Sequence, residues 1–307
     1  MLEESSRVKI LVAEDDPVIR LLLKTHLTHW GHEVVLCSDG AEAWDVLQQD
    51  DCPKLAILDW MMPKKDGLQI CTELRNSGKE PYVYVVFLTS KSGKENVVRG
   101  LEAGADDYII KPFDYNELRT RIRAGARIVR LQDDLIAALK ASEFQASHDA
   151  LTHLWNRSAI FQILQRELTR SSREGTPVSV IMADLDHFKR INDEYGHLMG
   201  DAVLKEAAQR FVSSMRPYDS CGRYGGEEFL MVIPGSNREM ALQIAERLRS
   251  SFAGKPIIIQ EDTIEITISL GVATAELEEK RNMDLLIRNA DEALYRAKNL
   301  GRNRVES

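Results

Sequence analysis

The chain has 307 residues, with 40 basic and 48 acidic side chains and a formal net charge of −8. At roughly 100–200 residues per domain this length suggests two domains or one large one. An apolar fraction of 44% excludes a disordered chain, a collagen and a disulfide scaffold, and the acidic balance argues against general nucleic-acid binding, which needs a basic face to displace phosphate counterions.

The four cysteines, Cys37, Cys52, Cys71 and Cys221, form no Cys-x-x-Cys pair. Zinc ribbons and dithiol redox motifs are therefore not expected, and the pattern suits free thiols in a reducing compartment. The first residues, Met1-Leu-Glu-Glu-Ser-Ser, are acidic and polar, unlike a signal peptide. Apolar runs such as Val83–Leu88 and Val178–Ala183 are strand-sized and too short to span a bilayer. The expectation is a soluble cytoplasmic protein with no membrane partner.

Residues 1–125 alternate strand and helix signals, as parallel α/β folds do. Strand-like runs occur at Lys9–Ala13, Glu33–Cys37, Leu55–Leu58, Val83–Leu88 and Tyr108–Ile110. In the first helical segment Ile19, Leu22, Leu23, His26 and Leu27 share one face, and Trp30-Gly31 ends it. Five such units predict a five-stranded doubly wound parallel sheet, whose ligands sit beyond the carboxyl ends of the strands. Those ends carry Glu14-Asp15-Asp16, Asp59, Thr89-Ser90 and Lys111-Pro112. Clustered carboxylates repel unless a cation sits among them, and oxygen-only ligands favour Mg²⁺. A lysine and a hydroxyl beside that metal suit a phosphoryl group. A single Asp after a strand is usually only a helix cap; four rim positions of matching chemistry are not explained that way.

The stretch Ile10-Leu-Val-Ala-Glu-Asp-Asp, the run Leu58-Asp-Trp-Met-Met-Pro, Thr89 and Lys111-Pro resemble a response-regulator receiver domain over nearly all of residues 7–125. The resemblance implies Asp59 as phosphoacceptor. It implies a metal site of Glu14, Asp15, Asp59 and the Met61 carbonyl, with Asp15 a direct ligand. Thr89 and Tyr108 are then the switch residues and Lys111 the phosphate partner. Asp16 is left as a helix N-cap neighbour, and the bond before Pro112 is expected to be cis. A sensor histidine kinase is the implied partner, which places the protein in a bacterial cytoplasm.

Residues 126–147 read as a helical coiled-coil linker. From Asn116 to about Ser147 there is no proline and one glycine, Gly125. One apolar stripe runs Leu118, Ile122, Val129, Ile136, Leu139 and a second runs Ile128, Leu131, Leu135, Ala138. Neither is a full heptad seam, yet both fit a helix that pairs with another helix. The competing reading is one long helix packed on its own receiver domain. Arg119, Arg123, Arg127 and Arg130 lie on one face, expected to be solvated or salt-bridging.

Residues 148–307 follow a different order. A strand run at Val178–Ala183 precedes Asp184-Leu-Asp186, and a hairpin is signalled at Arg223-Tyr-Gly-Gly-Glu-Glu-Phe229. Helical patterns cover Glu239–Phe252 and Met283–Leu300, with strand alternation at Ile264–Ile268. This order predicts an α+β, ferredoxin-like domain. In a strand, Asp184 and Asp186 share a face. A hairpin beside that strand lets Asp184 and Glu227 share Mg²⁺ for phosphoryl transfer. Lys298 and Arg302 are four apart, which places them together on a helix end, within reach of phosphates.

Four blocks carry a second resemblance: Asp149-Ala-Leu-Thr-His-Leu-Trp-Asn-Arg157, Asp184-Leu-Asp-His-Phe-Lys-Arg-Ile-Asn-Asp193, Gly225-Gly-Glu-Glu-Phe229 and Ala290-Asp-Glu-Ala-Leu-Tyr-Arg-Ala-Lys-Asn-Leu-Gly-Arg-Asn303. In this order over residues 148–305 they are similar to a GGDEF domain, a family that condenses two GTP molecules into cyclic di-GMP. The resemblance implies Asp184, the Leu185 carbonyl and Glu227 as metal ligands for Mg²⁺, with Mn²⁺ an alternative. Asn192 and Asp201 would read guanine. The Phe188 and Lys189 backbone and the Lys298 and Arg302 side chains would hold the triphosphate, and Glu228 would help deprotonate the attacking hydroxyl. A carboxylate such as Asp201 accepts from the guanine N1–H and amine together, a donor pair adenine lacks, which favours GTP. Arg216-Pro-Tyr-Asp219 stands where the family has its Arg-x-x-Asp product-inhibition site. Glu227 replaces the more familiar Asp, and His153 stands where a smaller residue is common. Glu292-Ala293-Leu294 spells the signature of the opposing phosphodiesterase family and is read as coincidence inside the last helix. The leading expectation is a phosphorylation-activated, homodimeric diguanylate cyclase. The alternative is a catalytically inactive cyclic di-GMP receptor, which the intact Asp184, Glu227 and Glu228 disfavour.

Overall fold

The computed structural model describes residues 7–78, 80–90, 94–259, 262–275 and 282–307. The chain divides into two compact units, Met1–Leu139 and Lys140–Ser307.

The first unit alternates strand and helix: β1 (Lys9–Ala13), α1 (Pro17–His29), β2 (Glu33–Cys37), α2 (Gly40–Leu47), β3 (Leu55–Asp59), α3 (Gly67–Ser77), β4 (Tyr84–Thr89), α4 (Lys94–Glu102), β5 (Asp107–Ile110) and α5 (Tyr115–Ser147). The sheet order is β2-β1-β3-β4-β5, all parallel. Every residue of β3 and β4 is buried, as their unbroken apolar runs require of central parallel strands. Leu11, Ala56, Leu58, Val85 and Phe87 pack with Leu47 of α2 and Ile70 and Leu74 of α3. The alternate residues Ile10, Val12, Ile57, Val86 and Leu88 pack with Leu23 and Leu27 of α1 and Leu118 and Ile122 of α5. Helices therefore cover both faces, and the order reverses between β1 and β3, where ligands gather in such sheets.

Local chemistry sets the helix starts. Asp16 is itself the N-cap of α1, accepting from the Val18 and Ile19 amides at 2.7 and 3.2 Å, with Pro17 at the first helical position. Asp66 and Gln69 close a reciprocal capping box on α3. The α1 face differs from expectation at Leu22, which is 41% exposed. The buried seam runs Ile19–Leu23–Leu27, and a neighbour one residue away is turned by about 100°, out of the seam. The Lys111–Pro112 bond is cis, as expected.

Helix α5 is a single element of 33 residues. Leu118, Ile122, Gly125, Ala126 and Val129 are buried in the first unit. Gly125 lies where the helix meets the sheet: a Cβ there would stand 2.7 Å from the Tyr84 ring. The start of the first apolar stripe is thus core of the same chain, and Gly125 is a contact point, not a gap. Farther on, Leu131 and Leu135 are 59% and 68% exposed. The four arginines Arg119, Arg123, Arg127 and Arg130 are exposed.

The second unit comprises α6 (Arg157–Glu174), β6 (Val178–Leu185), α7 (Phe188–Tyr195), α8 (His197–Ser213), β7 (Ser220–Gly225), β8 (Glu228–Pro234), α9 (Arg238–Phe252), β9 (Ile257–Ile259), β10 (Asp262–Ile264), β11 (Ile268–Ala275), α10 (Met283–Asn299) and β12 (Val305–Glu306). Its sheet order is β12-β11-β6-β8-β7, with β9 and β10 a separate hairpin. Strands β6, β7, β8 and β11 are mutually antiparallel at each pairing and form the βαββαβ core of a ferredoxin-like fold; β12 adds in parallel at the edge. Ile181, Ala183, Phe229 and Met231 pack with Phe211 of α8 and Leu248 and Phe252 of α9. Val180, Met182, Leu230 and Val232 pack with Leu164 of α6 and Leu294 of α10.

The strand expected at Ile264–Ile268 is interrupted. β10 ends at Ile264 and β11 begins at Ile268, although Ile264, Ile266 and Ile268 all remain buried. The backbone there is diverted to Asp186, whose amide donates to the Thr267 carbonyl at 2.9 Å. Among the described residues no helix is long and apolar enough to cross a membrane.

Candidate functional site

Two acidic rims stand out, one in each unit. In the first, parallel strands end together, which brings Glu14 and Asp15 after β1, Asp59 at the end of β3, Thr89 at the end of β4 and Lys111 after β5 into one rim. One carboxylate oxygen from each of Glu14, Asp15 and Asp59 lies within 4.8 Å of the others. The Lys111 ammonium bridges two of them, 2.7 Å from Glu14 Oε2 and 2.8 Å from Asp59 Oδ2. Burial pushes the Glu14 carboxyl up to about 7; Lys111 opposes the rise and the Asp59 charge adds to it. An all-oxygen set with surplus negative charge fits a hard divalent cation. Thr89 is buried, and Tyr108 is half-buried with the Arg121 guanidinium 5.6 Å from its ring centre. The Met61 side chain is exposed, and its amide donates to Asp59 Oδ1 at 3.2 Å.

Arg20 was not foreseen here. Its guanidinium donates to the Glu14 and Asp15 carbonyls and so pins the acidic loop from α1. Only its spacing from the cap, on the turn nearest the loop, could have signalled it.

In the second unit, antiparallel register places Asp184 of β6 opposite Glu228 of β8. The hairpin tip turns at Gly226, where φ is +54°, and Glu227 follows. Its carbonyl accepts from the Leu185 amide at 3.4 Å. Asp184 is buried, and Lys298 Nζ lies 2.6 Å from its Oδ2. Burial raises the Asp184 carboxyl to about 6, against the pull of Lys298 and with added push from Glu227 and Glu228. Burial likewise raises Glu228. Helix α7 starts at Phe188 and Lys189 immediately beyond this rim, and His187, its N-cap at φ +59°, makes no side-chain capping bond. Its first amides are therefore oriented for an anion. The Asn192 side chain packs against Gly200, which brings it beside Asp201 at the start of α8.

Two sequence readings are corrected here. Asp186 does not extend the strand beside Asp184, because β6 stops at Leu185. The buried Asp186 carboxylate instead accepts from the Thr267 and Ser269 hydroxyls at 2.6 and 2.7 Å and from the Asn303 amide at 3.0 Å. Its acceptors are occupied in holding the loop. Lys298 and Arg302 do not share a helix end either. α10 ends at Asn299, Leu300 caps it, and Arg302 lies beyond in a turn at φ +61°, with its amide donating to the Ala297 carbonyl.

Arg216 and Asp219 form a closed turn. The Arg216 amide donates to Asp219 Oδ2 at 2.9 Å, the Asp219 amide donates back to the Arg216 carbonyl at 3.0 Å, and the guanidinium donates to the Tyr218 hydroxyl at 2.9 Å. Asp219 Oδ1 is buried without a hydrogen-bond partner, and burial raises this carboxyl. Both residues line a cavity of about 470 Å³ with Trp155 and Cys221. The hairpin tip has a brace that sequence reasoning missed. Arg223 donates to the Gly226 carbonyl at 2.9 Å and pairs with Asp149 at 3.2 Å, while Thr152 donates twice to the same Asp149.

Residues 146–304, more than half of the chain, match the family described as "Diguanylate cyclase, GGDEF domain". The chain belongs to the GGDEF family. Residues 10–123 match the response regulator receiver domain, so this GGDEF protein also carries a receiver. It is 36% identical over 253 residues to the response regulator PleD of Caulobacter vibrioides, covering 82% of this chain and 56% of that protein. It is 35% identical over 221 residues to the diguanylate cyclase DgcP of Pseudomonas aeruginosa, covering 70% of this chain and 33% of that one. The chain thus spans about half of one of these relatives and a third of the other. Its fold is similar to the coiled coil and GGDEF domain of DgcB from Caulobacter crescentus, solved in complex with c-di-GMP, at a TM-score of 0.55 and 30% identity over 62% of this chain and 98% of that one. Domains of both kinds are generally metal-dependent, and among the described residues an acidic cluster that could hold a metal ion lies at the receiver rim.

Proposed function

We propose that the chain is a phosphorylation-controlled diguanylate cyclase, with a receiver over residues 1–125, a helical linker over 126–147 and a cyclase domain over 148–307. The observation that carries the reading is the register of β6 against β8, which sets Asp184 opposite Glu228 with Glu227 at the tip and Lys298 alongside. The relatives named diguanylate cyclases support it, as does the solved GGDEF domain holding c-di-GMP.

In this reading Asp184, the Leu185 carbonyl and Glu227 hold Mg²⁺ or Mn²⁺. A divalent ion there neutralises phosphate oxygens and favours ionisation of an attacking hydroxyl. The Phe188 and Lys189 amides, at the start of α7, and the side chains of Lys298 and Arg302 hold the triphosphate. Asn192 and Asp201 read the guanine edge. Glu228, whose carboxyl burial raises above the ordinary carboxylate value, takes the proton from the ribose 3′-hydroxyl as general base. Each 3′-oxygen bonds to the other nucleotide's α-phosphorus, and pyrophosphate leaves from each. One GTP per subunit requires a symmetric homodimer, and the exposed apolar positions Leu131 and Leu135 of α5 suit a second copy of that helix.

At the receiver rim a sensor histidine kinase phosphorylates Asp59, with Glu14, Asp15 and the Met61 carbonyl completing a Mg²⁺ site. Lys111 then pairs with the phosphoryl oxygens, and Thr89 and Tyr108 respond. The Arg216–Asp219 turn, with its buried unpaired Asp219 oxygen, serves as the site where cyclic di-GMP inhibits its own synthesis.

The test is cyclic di-GMP production from GTP and Mg²⁺ by the purified chain, with and without a beryllofluoride phosphoryl mimic. Product that rises with the mimic, loses that response in Asp59→Asn and vanishes in Glu227→Ala is the expected result. A folded protein that binds cyclic di-GMP and makes none under any condition would sink the enzyme reading.

A further inference from the structure

Among the described residues neither Glu227 nor Glu228 forms an ion pair, whereas Asp184 is held by Lys298 at 2.6 Å. Asp184 is buried and sits at the end of a central strand, so its oxygens have little freedom to move. Lys298 is the mobile partner. It projects from the last turn of α10 on a flexible four-carbon stem, and its side chain is partly exposed.

A carboxylate oxygen with an ammonium at 2.6 Å cannot also hold a divalent ion at about 2.1 Å. Nor can a buried carboxylate be left without a cation at small cost. An ammonium on one oxygen also repels a divalent ion at the other, so the two cations compete for one carboxylate. We propose that Lys298 is an internal counter-ion that occupies the Asp184 carboxylate, at Oδ2, until substrate arrives, so that metal and triphosphate bind as a coupled pair. The inference rests on the cyclase reading of this site. Triphosphate oxygens draw the ammonium off Asp184, the freed carboxylate accepts the metal, and by linkage each ligand strengthens the other. Metal without nucleotide meets a competitor already in place. Lys298 thus acts as a positioning residue that sets the order of assembly, beyond any contact it makes with phosphate.

The experiment measures Mn²⁺ alone. The full chain carries Asp15→Asn and Asp59→Asn to silence the receiver rim, and free Mn²⁺ is followed by electron paramagnetic resonance at pH 8 without nucleotide. Lys298→Met is expected to bind Mn²⁺ roughly tenfold tighter, the scale of a close charge pair. Lys298→Gln should move the same way, and Lys298→Arg should restore the weaker binding. Asp184→Asn should remove the site. Unchanged or weaker binding in both Lys298→Met and Lys298→Gln, with Asp184→Asn still removing the site, would overturn the inference and leave the cyclase metal reading standing. Mn²⁺ binding that is indifferent to Asp184→Asn would overturn both.

Discussion

The two rims solve the same electrostatic problem with different parts. In the receiver, two parallel strand ends deliver three carboxylates to one point, and a lysine from a third bridges two of them. In the cyclase unit one carboxylate is buried at a strand end, and its two companions ride on a hairpin tip and remain half-exposed. The first rim is closed by the Lys111 bridge. The second leaves both hairpin carboxylates half-exposed. Strand topology fixes the receiver rim; a turn and its brace fix the other.

That contrast can be broken most sharply with one substitution at each rim. Asp184→Asn should lower cyclic di-GMP production by about three orders of magnitude, the scale of removing a group that organises charge in the transition state. Asp59→Asn should instead abolish the response to beryllofluoride. Equal losses of basal product from the two would mean that the rims do not have separate tasks. Arg223→Ala tests whether the hairpin needs its brace. It removes the bonds to Gly226 and Asp149 and leaves a half-buried carboxylate less satisfied. Production should fall by about one to two orders of magnitude and the cyclase unit should lose about 1–3 kcal/mol of stability, read by product assay and denaturant unfolding.

The smallest effect concerns the closed rim without metal. Burial holds the Glu14 carboxyl at about 7 in the folded state, above its ordinary 4.5. A raised folded value means stability that is present below pH 4.5 and lost as pH rises through 7. In EDTA, Glu14→Gln should therefore stabilise the receiver transition at pH 8, by on the order of 1–2 kcal/mol, and have little effect near pH 4.5. Mg²⁺ should shrink that difference. A variant equally stable with the parent at pH 8 would show that Lys111 already neutralises the rim.

The receiver rim was legible because each of its residues follows a strand whose apolar run is unmistakable, and parallel order alone brings such ends together. Leu22 was misplaced because the apolar pattern of α1 is wider than its buried seam. The break at Glu265–Thr267 could not be seen, because burial alternates there as in a strand while the backbone bonds to Asp186, far away in sequence. Arg302 failed for a related reason: spacing of four has meaning only inside a helix, and α10 ends first. Arg20 acts through backbone carbonyls, which carry no side-chain signature, and Arg223 reaches the Gly226 carbonyl and an Asp149 far away in sequence.

The Asp149–Arg223 pair has a consequence for how such proteins are assembled from parts. Both residues, and the Thr152 that locks Asp149, belong to the second unit. The brace on the hairpin tip is therefore carried by the unit itself and is not borrowed from whatever module precedes it. A unit built this way can be fused behind different sensory modules and still keep its hairpin tip in place.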